Sequence, residues 1–191
     1  MKLADGDRAR IQAAIAAAEQ RVGAHLSAVI VPASDRYALY PLAWAAAVAL
    51  MAGGVLALVM PHVSLRTGIM IELSAFAVLA LCFDWFPLRL MLVPDRIERE
   101  HAHAFARREF ASQIMSAGER GQGVLFFVSL GERYVEILAS REIHTQVGEA
   151  AWHAIIADFT AAAKAGRIAD GTIAAVNACA AHLATHYPKS A

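Results

Sequence analysis

The stretch "LAWAAAVALMAGGVLALVM", Leu42 to Met60, contains no charged residue, and it narrows what this chain can fold into more than any other feature. At about 1.5 Å per residue such a helix crosses most of a ~30 Å hydrocarbon core. Pro61 ends the run and "PHVSLRTG" supplies a short polar turn. A second apolar run starts near Ile69 and reaches about Phe86, or Val93 if Pro87 only kinks it. The pattern predicts a transmembrane helical hairpin over residues 39–93, with spans at about 42–60 and 69–86. Ala45, Ala49 and Gly53 recur every four residues, a stripe of small side chains that lets a second helix approach closely. Trp44 and Trp85 fall near opposite ends of the two runs, hence at one interface of an antiparallel pair. The competing reading, a buried hairpin of a soluble protein, requires a very large core for a run of this length.

Composition points the same way. Hydrophobic residues make up 58% of the 191, above the about 45–50% usual for soluble domains. Lysine plus arginine and aspartate plus glutamate balance at 17 each, which leaves no charge-based case for nucleic acid as a partner. Arg66 stands alone in the connecting turn, while Arg21 and Arg36 precede the hairpin and Arg89, Arg96, Arg99, Arg107 and Arg108 follow it. By the positive-inside rule both termini are expected in the cytoplasm. The N-terminal segment is charged and amphipathic, unlike a secretory signal. Cys82 and Cys179 are expected unpaired, in a reducing compartment. Glu72 and Asp84 lie inside the second run, each near enough to an interface to reach headgroup water.

The flanks read as one soluble domain cut in two. Ile11, Ile15, Ala18 and Val22 keep helical spacing, with Asp5 or Asp7 placed to cap the start and Gly23 to stop it. "HLSAVIVPAS" is β-rich, with Pro32 suited to a strand end. After the hairpin a charged amphipathic helix places Ala102, Ala106, Phe110, Ile114 and Ala117 on one face before Gly118. "GVLFFVSL" is apolar at every position but one, as a strand covered on both faces must be. "YVEILAS" follows after a turn, and two helices close the chain, around Trp152, Ile155, Ile156 and Phe159 and around Ile173, Val176, Ala180 and Leu183, with "AGRIADG" between them. Neither flank holds enough strands to stand alone, so Leu26–Val31 is expected to pair with Val124–Leu130.

The series "RGQGVLFFVSLGERYVEILASREI" resembles the TPM domain family, and the chain is similar to its bacterial inner-membrane subgroup, in which two spans interrupt the domain. Supporting pieces are "IQAAIAAAE", Ser34, Trp152 and "LATHYP". The resemblance implies an α/β fold: a small α/β/α sandwich interrupted by the two-helix hairpin, with residues 1–38 and 94–191 as its two parts. It also implies a cell inner-membrane location. Family members have been linked to divalent-cation binding, to phosphatase activity and to assembly of membrane complexes. Where family members often have Gly-Glu before the first strand, this chain has Ala24-His25.

Candidate site residues fall into two sets. Asp35, Glu119, Glu142 and Glu149 would supply oxygens to calcium or magnesium if the strand ends align. Glu132, Arg133, Glu136 and Arg141, beside Ser129 and Ser140, read as a polar interaction cluster at one end of the sheet. Alternatively they are a charged turn with cross-strand pairs of roughly 0.2–1 kcal/mol each. His182 and His186 share a helix face but lack the partners of a zinc site, and His101 and His103 read as surface. No catalytic motif occurs, and no catalytic residue is assigned. The expected function is a membrane-tethered, non-catalytic interaction or assembly module, its partners the lipid bilayer and another membrane protein or complex. The alternative is a divalent-metal-dependent phosphatase-like hydrolase. A third class, a small transport subunit, would need Glu72 to face a polar cavity.

Overall fold

The computed structural model describes residues 4–35, 37, 39–60, 62, 64–83, 85, 93–115 and 122–188. It divides into two compact units: Met1–Ser34 together with Arg99–Ala191, and Asp35–Glu98. Chain order is α1 (Asp5–Glu19), β1 (His25–Val31), α2 (Leu39–Val59), α3 (Leu65–Phe83), α4 (Asp95–Phe110), β2 (Gly123–Ser129), β3 (Tyr134–Ala139), α5 (Arg141–Val147), α6 (Glu149–Lys164) and α7 (Ile168–His186).

In the first unit, β2 is the middle strand of a sheet ordered β1-β2-β3. It runs parallel to β1, with Leu26 opposite Val124 and Ala28 opposite Phe126, and antiparallel to β3. All seven residues of β2 are buried. Alternation then splits them between two cores. Val124, Phe126 and Val128 join Leu26, Ala18, Trp152, Phe159 and Val176 on one face, where Phe126 meets Phe159 edge-on at 5.1 Å between ring centroids. Leu125 and Phe127 face the other way, onto Ala102, Ala106 and Ile114, with Phe105 at 5.7 Å from Phe127. Helices on both faces of a small mixed sheet make the α/β/α arrangement expected from "GVLFFVSL".

Gly123 sets the β1–β2 approach. A Cβ built there would sit 2.6 Å from the His25 carbonyl oxygen and 2.6 Å from Ile114 Cγ2. Only a glycine lets β1 and the segment after α4 close on the start of β2 together. That segment, Ala111–Met115, is a π-helical turn, and it carries Ile114 into the core.

Several boundaries depart from the sequence reading for local reasons. α1 begins after Ala4 without a side-chain cap; Asp5 and Asp7 lie in its first turn, where they complement the helix dipole. It ends at Glu19, and the Gly23 N–H instead donates to the Tyr187 carbonyl at 2.8 Å. α7 starts at Ile168, inside the expected loop, because Gly171 lets it close on α6: a Cβ there would lie 2.8 Å from that of Ala162. The short helix α5 was not anticipated. Ala117 and Gly118 lie outside the described residues.

In the second unit, α2 and α3 pack along each other. Both start earlier than the apolar runs suggest. Pro41 fits the first turn of α2, where its missing N–H costs nothing. Ser64 caps α3 by accepting from the Thr67 N–H at 3.3 Å, which draws Leu65, Arg66 and Thr67 into the helix. Ala45 and Ala49 are the buried face of α2. Both helices are long and apolar enough to cross a membrane, with mean hydropathies of 2.3 and 1.7. Asp84 and the stretch toward Val93 that would extend α3 past Pro87 lie outside the described residues, apart from Trp85.

Replacing Gly123 with alanine is expected to destabilise the first unit by about 1–3 kcal/mol, since the methyl group meets backbone on one side and Ile114 on the other. Thermal melts of the purified protein check this; an unchanged melting temperature would mean the two strands approach less closely.

Candidate functional site

Because β1 and β2 are parallel, their C-terminal ends meet the β2–β3 turn, and there lies the most buried acid among the described residues. Glu132 is 8% exposed. One carboxylate oxygen accepts from the Ser34 backbone N–H at 2.7 Å, and the other accepts from the Ser129 hydroxyl. Backbone bonds complete the seam: Leu130 N–H donates to Val31 O at 3.0 Å and Gly131 N–H to Pro32 O at 2.8 Å. The carboxylate therefore ties the residue following β1 to the turn following β2. Glu132 was expected on an exposed polar tip. It is instead a buried anchor, because Ser34 supplies a donor that only the tertiary fold brings near.

Arg133, next in the turn, is exposed and holds φ at 50°, a left-handed conformation uncommon outside glycine. Anchored on one side by Glu132 and on the other by β3, it presents its guanidinium outward from a fixed backbone.

Glu136 lies midway along β3, on the face covered by α4. Tyr134 donates its hydroxyl to Glu136 Oε2 at 2.9 Å, and His103 Nδ1 lies 2.9 Å from Oε1. A carboxylate only accepts, so Nδ1 is the donor in this contact. Burial above all, then the Glu136 charge and its hydrogen bond, push the Tyr134 phenol well above its ordinary range, against an opposing pull from Arg99. Tyr134 thus remains a donor to Glu136. His103 had read as plain surface; its partner is 33 positions away, and nothing local signals the pairing.

At the opposite end of the sheet, Ser140 N–H donates to the Gly123 carbonyl at 3.0 Å and α5 begins. Arg141 is exposed there, and Glu142 accepts from Gln122 Nε2. The expected cluster at one sheet end is therefore split along β3, with Glu132 and Arg133 at the turn, Glu136 between, and Arg141 at the far end.

The metal candidates are also spread. Glu142 is on α5, and Glu149, exposed at the start of α6, lies 3.7 Å from His153 Nε2. Asp35 belongs to the other compact unit, and Glu119 lies outside the described residues. Among the described residues no three His, Cys, Asp or Glu side chains gather in a way that could hold a metal ion. His182 instead lies beside the Trp152 ring at 6.4 Å, while His186 is exposed. Cys179 is buried on α7, and burial pushes its thiol up to about 12, so it is inert at neutral pH.

The family description "TPM domain" matches residues 87–182. The NMR structure of the BA42 protein from the psychrophilic bacterium Bizionia argentinensis sp. nov. is similar in fold, with a TM-score of 0.58 over 100% of this chain and 87% of that one, at 13% identity. No curated protein matches.

Glu132→Ala would leave the Ser34 N–H and Ser129 hydroxyl without their acceptor, an expected loss of about 1–3 kcal/mol. Arg133→Gly relieves the left-handed conformation and is expected to be neutral or stabilising by up to about 1 kcal/mol, the relief of roughly 1–2 kcal/mol being offset by glycine's chain entropy. Melting the two variants side by side checks both; a harmless Glu132→Ala would remove the anchor role.

Proposed function

The chain belongs to the TPM domain family, and we propose that it is an integral inner-membrane protein whose cytoplasmic TPM domain serves as a non-catalytic interaction or assembly module. The observation that carries this reading is the pair of apolar helices between the two parts of the domain's chain. Leu50, Leu58, Leu65, Leu73 and Leu81 are all largely exposed on them. So much contiguous aliphatic surface is costly in water and favourable in hydrocarbon. With two spans, both flanks emerge on one side, as the sharing of a single sheet by β1 and β2 requires. The uneven arginine distribution supports the cytoplasm as that side.

The β2–β3 turn is the proposed contact surface. A non-glycine residue held at φ 50° over a buried carboxylate is a locally strained feature, and such features persist where the surrounding structure over-determines them. An arginine presented rigidly suits recognition of a carboxylate-bearing partner, because its planar fork loses little freedom on binding. The hydrolase alternative rests on family analogy, with no catalytic grouping among the described residues to favour it.

Chemical crosslinking in native membranes followed by pull-down tests the module. Arg133→Ala is expected to cut recovery of the crosslinked partner severalfold with the melting temperature kept, whereas Arg141→Ala, at the other end of β3, leaves recovery intact. Equal recovery from both variants would remove the turn as the contact. For orientation, a cysteine introduced at Ser64 is expected to react with an impermeant maleimide from outside the cell, and one near the C-terminus is not. The reverse labelling would overturn the cytoplasmic assignment.

A further inference from the structure

A cavity of about 290 Å³ opens between α2 and α3 at their connected ends, and Glu72 lies at its inner limit. Met60, Ser64 and Leu65 line the end nearer the turn, and Gly53 and Gly68 widen it. Gly53 is the specific accommodation: a Cβ there would stand 3.0 Å from Glu72 Cδ and 3.1 Å from Oε2. The third member of the small-residue stripe thus makes room for a carboxylate rather than for a helix backbone.

Glu72 is seven residues into α3 from Leu65, roughly 10 Å along the axis at 1.5 Å per residue. α2 carries no charged side chain, and on α3 the other charged residue is Arg66. Arg66 stands six residues before Glu72, about 240° around the helix at 3.6 residues per turn, so the two are on different faces. His62 is exposed in the connecting turn. Among the described residues Glu72 has no ion pair and no hydrogen bond. Glu72 is partly buried and lines the cavity without a partner, an arrangement that becomes costly where hydrocarbon rather than water surrounds it.

We infer that this cavity is a binding site for a compact organic ammonium ion, whose cationic head Glu72 neutralises and whose apolar body packs on Leu56, Ala57 and Ile69. The inference rests on the hairpin lying in a bilayer. A single carboxylate at the end away from the turn, among walls that include Leu56, Ala57, Met60, Leu65 and Ile69, fits a cation with a hydrocarbon body better than a hydrated metal ion, which needs several convergent oxygens. The ammonium group could belong to a free amine or to an aminophospholipid headgroup.

The test uses the full chain in phosphatidylcholine vesicles, with radiolabelled benzyltrimethylammonium as probe and protein retention in the vesicle pellet after alkaline carbonate as a parallel measurement. Saturable binding is expected in the parent. Glu72→Gln is expected to lower it at least tenfold while the protein stays in the pellet and keeps its helical circular dichroism. Gly53→Ala, which retains the acid but narrows its seat, is expected to weaken binding severalfold. If phosphatidylethanolamine vesicles suppress probe binding to the parent, the aminophospholipid headgroup is the source of the ammonium. If they do not, the source is a free amine. Absence of saturable binding, or equal binding by the parent and Glu72→Gln, would overturn the site. Loss of the parent from the pellet would instead overturn the membrane reading on which it rests.

Discussion

The parallel pairing of β1 with β2 is the contact on which the rest of the TPM domain depends. A lone β2–β3 hairpin is marginal in water, and β1 alone has nowhere to place its hydrogen bonds. Joined, the three strands offer two apolar faces, and every helix of the first unit finds its seat on one of them or on a helix already seated there. Roughly ninety residues separate the paired strands along the chain. Closing so long a connection costs little more than closing a short one, because the entropy of closure grows only with the logarithm of length. What makes the closure specific is steric. Gly123 admits the His25 carbonyl, and Glu132 captures the Ser34 N–H where the chain leaves the unit.

That dependence gives the inserted helices a structural meaning for the domain. The last residue of its first part, Ser34, is hydrogen-bonded to a turn that belongs to its second part. The same turn displays Arg133. A single buried carboxylate thus fixes both the point of exit and the proposed point of contact, so the contact surface cannot form before the two flanks have met.

What the amino-acid sequence discloses and what it hides follow from the range of the interactions. "GVLFFVSL" announces a strand buried on both faces because each residue carries its own signal, and so do the charge-free runs of α2 and α3. The helix starts at Leu65 and Ile168 were less legible. The first is set by Ser64, whose capping value outweighs the polarity of "SLRTG"; the second depends on Ala162 of another helix accepting Gly171 closely. Glu132 looks like an ordinary turn charge between Gly131 and Arg133, since its partner Ser34 is 98 positions away. The Tyr134–Glu136–His103 grouping is hidden for the same reason: the alternation of β3 places Tyr134 and Glu136 on one face, but only the docking of α4 adds the histidine. Arg133 and Arg141 lie beyond opposite ends of β3, which separates them by its own length.

Amide hydrogen exchange on the intact protein in lipid nanodiscs, read by mass spectrometry, tests the split sheet most directly. If the first unit is one cooperative structure, peptides covering residues 25–31 and 123–129 open together and share the slowest exchange in the chain. Fast, unprotected exchange across 25–31 while 123–129 stays protected would contradict it, leaving β1 outside the fold and the domain without the strand that unites its halves.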